Sequence, residues 1–344
     1  SYAADRSAGN LTALLAAAEP RRQQLLRRLN QAPAGTERLV AMRAELLGLL
    51  KDNPQLARID VDFERLFTTW FNRGFLVMQP IDWGTPADIL EKIIRYEAVH
   101  AINDWDDLRR RLQPSDRRCF AFFHPAMSNE PLIFVEVALT KGIPGSIQGL
   151  LAEDREACDE TEANTAVFYS ISNCQKGLRG VSFGSFLIKQ VAQDLSGDLR
   201  KLGTFVTLSP VPGFRAWLAA KAADLPGSAL EEIFQAVDND DDPSDEAGLR
   251  ALVAHYLLNE KRSDGLPLDP VARFHLGNGA SLKNIHWNAD MSEKGMQQSA
   301  GMMVNYLYDL DVVEANHEAY TRDGTINAAR EVRALPNDKL LVPE

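Results

Sequence analysis

Two residues of this chain stand in settings suited to chemistry. Ser209 ends the β-branched run Gly203-Thr-Phe-Val-Thr-Leu208 and is followed by Pro210-Val-Pro-Gly-Phe214. Proline at 210 removes a backbone donor and biases Ser209 towards an extended backbone, which would fix its hydroxyl pointing out of the strand end. His275 lies in Ala272-Arg-Phe-His-Leu-Gly-Asn-Gly279. A partly buried imidazole is suited to moving protons at physiological pH. Each residue also has a plain alternative. Ser209 could simply start the next helix, and a lone histidine between Phe and Leu is more often a hydrogen-bonded core residue. The serine lacks a Gly-x-Ser-x-Gly elbow, so an α/β-hydrolase reading gains nothing.

A third feature suits an anion. The strand-like Val167–Ser172 runs into a basic, glycine-punctuated turn, Gln175-Lys-Gly-Leu-Arg-Gly180, and an amphipathic helix starts near Phe183. Backbone N–H groups at a helix N-terminus bind phosphate oxygens, glycines let the backbone approach, and Lys176 and Arg179 add charge. The turn is neither a Walker A loop nor a GxGxxG fingerprint, and ordinary strand–helix connections share its composition.

Other constellations fail on spacing. Glu97/His100 and Glu314/His317 have the Glu-x-x-His spacing of di-iron bundles, but about 200 residues of sheet-forming sequence separate them. The acidic run Asp238–Asp242 has Pro243 where a calcium loop needs glycine. The three cysteines, Cys119, Cys158 and Cys174, form neither a CxxC pair nor a disulfide framework, which argues for a reducing compartment and against structural zinc. A net charge of −11 argues against a nucleic-acid partner. No apolar run approaches the roughly 20 residues that span a bilayer, which argues against a membrane partner. The chain begins Ser1-Tyr-Ala-Ala-Asp. That start leaves a lost targeting peptide open.

The elements that must position these residues fall into two parts. At 344 residues the chain is long enough for two cores. Residues 10 to about 112 read as helical, with Leu39, Met42, Leu46 and Leu50 at helical spacing and Thr85-Pro86 capping an amphipathic helix through Ile89, Leu90, Ile93, Ile94 and Val99. After Pro114-Ser-Asp116 the pattern turns to strands at Arg118–His124, Pro131–Leu139 and Val167–Ser172, the start of an antiparallel meander. Phe183, Phe186, Leu187, Val191 and Leu195 place an apolar stripe on the next helix. Pro212–Leu258 and Gly301–Leu310 read as helical, Ile285–Ala289 as strand-like, and the last thirty residues as peripheral.

Read together, these segments resemble the malonyl-CoA decarboxylase family. The matching blocks include Trp83-Gly-Thr-Pro, Glu97-Ala-Val-His100, Glu130-Pro-Leu-Ile, Val137-Ala-Leu-Thr140 and Phe168-Tyr-Ser-Ile-Ser172. They continue through Gly177-Leu-Arg-Gly-Val181, Phe186-Leu-Ile-Lys189, Leu208–Phe214, Pro270–Ala280 and Gly301-Met-Met-Val-Asn-Tyr306, in family order. The resemblance implies an α+β chain. A helical oligomerisation domain (1–115) would precede a catalytic domain (116–344) of the acetyltransferase-like (GNAT) fold with a mixed, mainly antiparallel sheet. It implies conversion of malonyl-CoA to acetyl-CoA and carbon dioxide without metal or prosthetic group, coenzyme A being part of the substrate. By motif match Ser209 and His275 take the catalytic positions and Tyr306 a further active-site position, and supporting contacts from Asn305 and Tyr306 are expected to orient the thioester. Ser172 and Gln175, Lys176, Gly177, Leu178, Arg179, Gly180, Val181 and Ser182 fall on the coenzyme A site. The resemblance implies one departure: some family members carry glutamate where this chain has Ser182. The resemblance also implies a homo-oligomer (dimer or tetramer). It further implies a cytoplasmic, bacterial-type setting beside which a mitochondrial matrix one stays open. A coenzyme-A-dependent acyltransferase on the same fold is the alternative.

Overall fold

The computed structural model describes residues 3, 5–181, 186–239 and 245–342. Four helices come first: α1 (Ala8–Ala18), α2 (Arg21–Asn30), α3 (Gly35–Leu49) and α4 (Ala57–Trp70). Helices α2 to α4 pack through Leu26, Leu39, Val40, Leu46, Phe63, Leu66 and Phe67. Burying each such side chain contributes about 1.5–3 kcal/mol. Helix α1 buries none of its residues.

Strand β1 (Val77–Pro80) then pairs antiparallel with β2 (Arg117–Phe123). The expected helical run to residue 112 is therefore interrupted, and the sheet begins well before the expected boundary at 115. Four residues are too few for a periodicity to register, and the strand lies between two strongly helical patterns. Helices α5 (Ala87–Tyr96) and α6 (Trp105–Leu112) return the chain to the sheet. Their Ile89, Leu90, Ile93, Leu108 and Leu112 pack on Cys119, Ala121 and Phe123.

The sheet continues with β3 (Ile133–Thr140), and α7 (Ile147–Leu151) leads to β4 (Thr165–Asn173). Helix α8 (Phe186–Asp198) crosses over to β5 (Thr204–Thr207), and β6 (Ser209–Pro210) follows at once. Helices α9 (Phe214–Asp224), α10 (Ala229–Asp238), α11 (Glu246–Leu258) and α12 (Pro270–Gly277) precede β7 (Ser281–His286). The chain then forms α13 (Glu293–Ser299), β8 (Met303–Leu307) and α14 (Val313–Asp323). Strand order is β1-β2-β3-β4-β5-β8-β6, with β7 also on β8. Among the described residues every pairing between these strands is antiparallel except that of β4 with β5. This is the mixed, mainly antiparallel sheet behind a helical N-terminal part that the resemblance implied.

Alternation along the strands makes two apolar faces. Phe120, Phe122, Val135, Val137 and Phe168 meet Leu187, Val191 and Leu195 of α8 on one side. Val167, Tyr169, Val206 and Leu208 meet Ile147 and Leu150 on the other. Two expectations change here. Gly301–Leu310 is not helical but holds the central strand β8, Met303–Leu307, because Val304, Tyr306 and Tyr308 alternate at period two after a turn at Gly301, whose φ is +72°. The last thirty residues are not merely peripheral. Val332 is fully buried, and Leu282 N–H donates to Asn327 O while Ala329 N–H donates to Leu282 O.

Candidate active site

Strand β5 meets β4 only from Thr165↔Thr204 to Phe168↔Thr207, and Leu208 N–H then donates to Phe168 O at 3.0 Å. Beyond that bond β4 runs on to Asn173, while the chain carrying Ser209 pairs with β8 at Val304. The two strands splay, and the gap holds a cavity of about 250 Å³ that Ser209 and His275 both line. Its walls include Phe168, Ile171 and Asn173 of β4, Pro210, and Phe274 of α12.

Helix α12 forms because Asp269 caps it, accepting from Ala272 N–H at 2.8 Å, and Pro270 opens its first turn. Its second turn delivers His275, 3 % exposed, to Ser209, 6 % exposed. His275 Nε2 lies 3.2 Å from Ser209 Oγ, and Ser209 O–H donates to Thr207 Oγ1 at 2.9 Å. A serine hydroxyl has a single proton, so with that proton on Thr207 the ring nitrogen Nε2 must be the donor to Ser209. Nδ1, 2.8 Å from the Tyr308 hydroxyl, is then the acceptor. Burial pushes His275 down to about 3, so the ring is neutral at pH 7.

The sequence expectation joined Ser209 to His275, and the structure brings them together. Tyr306 stacks on the His275 ring, with centroids 4.6 Å apart, and its buried hydroxyl has no hydrogen-bond partner among the described residues. Asn305 is placed differently from the expectation. Strand alternation turns it to the other face of β8. There its amide donates to Thr207 O at 2.8 Å and accepts from His286 Nε2 at 2.5 Å and from Asn284 Nδ2 at 3.1 Å. Asn305 therefore pins β8 to its neighbours and does not line the cavity. Tyr308, missed from sequence, is the group on the far side of the histidine. Its signal was present in the alternation of Val304, Tyr306 and Tyr308, which a helical reading of the segment hid.

The basic turn sits between the sheet and the helical part. Lys176–Leu178 is a 3-10 turn, with Lys176, Arg179 and Gly180 exposed and Gly180 at φ +83°. Leu178 and Val181 are buried in the core of α2 to α4. A Cβ on Gly177 would stand 1.9 Å from the Val40 carbonyl oxygen, so only glycine fits against α3. Arg43 of α3, 2 % exposed, donates to Gly177 O at 3.0 Å and Arg179 O at 2.9 Å, and pairs with Asp60 at 2.7 Å. Gln175 is tied to Pro131 O at 3.0 Å. Ser172, expected on the coenzyme A site, is buried and hydrogen-bonded to Glu97 Oε2 at 3.2 Å. Ser182 lies outside the described residues. Glu97 has no metal-like company, and among the described residues no three His, Cys, Asp or Glu side chains gather as a metal site.

Comparison with known proteins decides the family. The model of the malonyl-CoA decarboxylase C-terminal domain matches residues 74–341, and that of the N-terminal domain matches residues 1–71. The chain belongs to the malonyl-CoA decarboxylase family. A mitochondrial malonyl-CoA decarboxylase of Anser anser anser is 36% identical over 348 residues, covering 91% of this chain and 69% of the relative. Crystal structures of malonyl-CoA decarboxylases agree in fold. That from Rhodopseudomonas palustris has a TM-score of 0.91 at 55% identity, covering 97% of this chain and 84% of the other. That from Agrobacterium vitis has a TM-score of 0.92 at 53% identity, covering 98% and 84%. The family's domain models meet between residues 71 and 74, where α4 ends and the sheet begins. No helix among the described residues is long and apolar enough to cross a membrane.

Proposed function

We propose that this malonyl-CoA decarboxylase family enzyme converts malonyl-CoA to acetyl-CoA and carbon dioxide through an enolate that the Ser209–His275 pair stabilises and protonates. The observation that carries the reading is the polar chain Tyr308–His275–Ser209 opening on a largely apolar cavity between splayed strands. Loss of the distal carboxylate leaves an enolate conjugated to the thioester, so the substrate is its own electron sink and the reaction needs neither metal nor prosthetic group.

The reaction consumes one proton per turnover. On substrate binding Ser209 turns its one hydroxyl proton from Thr207 to the thioester oxygen, and a donor aimed at the developing oxyanion is worth roughly 3–4 kcal/mol. His275 gives its Nε2 proton to C2 while Tyr308 gives its hydroxyl proton to Nδ1. The ring thus passes between neutral tautomers, and Tyr308 recovers its proton from solvent. The nucleotide end would lie at Gln175–Gly180, where Lys176 and Arg179 are exposed. From Phe168 to Asn173 the strand edge spans about 17 Å at ~3.3 Å per residue, a length suited to a pantetheine arm. Binding energy from that arm holds the reacting bond in place.

Helix α1, with Leu14 and Leu15 exposed and nothing buried, supports assembly of a homo-oligomer through the helical part. Incubation of the purified chain with malonyl-CoA alone tests the function. Acetyl-CoA and carbon dioxide form in equal amounts under this reading, whereas an acyltransferase yields product only when an amine acceptor is added.

A further inference from the structure

The segment between α5 and α6 crosses the splay of the strands without regular structure, and side chains from three distant elements hold its backbone. The Glu97 carboxylate accepts from Ser170 Oγ at 2.6 Å and Ser172 Oγ at 3.2 Å, and from the N–H groups of Val99 at 2.7 Å and His100 at 2.8 Å. Ala98 N–H donates to Ser172 Oγ at 3.1 Å. From α6, Arg111 donates to His100 O at 2.8 Å and Ala101 O at 2.9 Å. From α13, Lys294 donates to the carbonyls of Ala98 and Val99. Residues 97–101 therefore form a strap tied to β4 at one side and to α13 at the other.

One side chain of this strap lines the cavity that holds Ser209 and His275, and it is Val99. Phe274 and Val271 of α12 line the same cavity from another element. A β-branched side chain has one strongly preferred rotamer, so a fixed backbone presents a fixed surface. We propose that Val99 sets the size of substituent tolerated at C2 of the malonyl group, with Glu97 as the positioning residue that holds it there. The inference rests on the decarboxylase reading above. An α-hydrogen passes this wall and a methyl group meets it, which selects malonyl over 2-substituted malonyl thioesters.

The test compares kcat/KM for malonyl-CoA and 2-methylmalonyl-CoA in the full chain and its Val99→Ala, Val99→Ile and Glu97→Gln variants. Val99→Ala is expected to raise the methylmalonyl-to-malonyl ratio about 10-fold, the discrimination one methyl-sized difference gives in an apolar pocket. Val99→Ile is expected to lower the ratio. Glu97→Gln loosens the strap and moves the ratio in the same direction as Val99→Ala, which loss of packing alone would not do. Ratios within about twofold of wild type in both Val99 variants, with malonyl-CoA still turned over, would overturn the assignment. A wild-type chain that leaves malonyl-CoA intact instead removes the decarboxylase reading itself, and this inference with it.

Discussion

The Tyr308 hydroxyl stands 2.8 Å from His275 Nδ1, on the opposite side of the ring from Ser209. This contact holds the imidazole in the tautomer whose proton faces the cavity, a role that sets direction rather than affinity. Tyr308→Phe keeps the ring and its packing and removes only the hydroxyl. Steady-state kinetics should show kcat lowered about 10²–10⁴-fold, the usual contribution of a positioned proton donor, with KM little changed. An unchanged kcat would mean the contact plays no part in the reaction.

Acid pH separates the dyad from ordinary histidine chemistry. Burial lowers His275 to about 3, so the folded chain resists a proton that the unfolded chain accepts below about 6.5. The unfolded state then binds more protons, and this residue's contribution to stability falls as pH drops from 6.5 towards 3, by about 1.4 kcal/mol per unit. Urea unfolding of wild type and His275→Asn at pH 6.5 and pH 5 should show wild type losing about 2 kcal/mol more. The acid limb of kcat/KM should lie well below 6.5, and a limb at 6.5 would contradict a neutral, buried imidazole.

Arg43 belongs to a helix far from the dyad, yet its guanidinium fixes the carbonyls of the basic turn. Arg43→Ala should raise KM for malonyl-CoA about 10-fold, the equivalent of one charge-assisted hydrogen bond, while kcat at saturation persists. Gly177→Ala should act the same way, because its Cβ would collide with Val40 O. Isothermal titration with coenzyme A reads both variants directly. Undiminished affinity in both would remove the turn from the binding site.

Asn305 is a structural pin. Asn305→Ala strips partners from Thr207 O, His286 and Asn284 and should cost about 2–3 kcal/mol in denaturant unfolding. Its kcat should stay within about tenfold of wild type, since its amide does not touch the dyad. A kcat loss as large as that of His275→Asn would return Asn305 to the reacting groups.

The legible parts of the molecule were those with long, single-period signals. The β2–β3–β4 meander, the stripe of α8 and the proline-fixed end at Ser209 all follow from local pattern. Strand β1 was too short to show a period, and β8 sits between a glycine turn and acidic residues that resemble helix punctuation. Reading β8 as a helix hid the pleat that sends Asn305 and Tyr306 to opposite faces. Tyr308 was lost by the same error. The strap at 97–101 was illegible for another reason. Its shape depends on Ser170, Arg111 and Lys294, side chains that local pattern does not join. Glu97 and His100, spaced like metal ligands, serve instead as a backbone tether and a buried ring that desolvation holds down to about 4.

The central claim is that His275 donates the proton that ends the enolate. Incubating His275→Asn with malonyl-CoA alone, and measuring acetyl-CoA formation beside coenzyme A affinity, tests it most directly. The account predicts turnover lowered by about 10²–10⁴-fold, the usual contribution of a positioned acid–base group, with coenzyme A binding retained. Near-wild-type acetyl-CoA formation in that variant would contradict it.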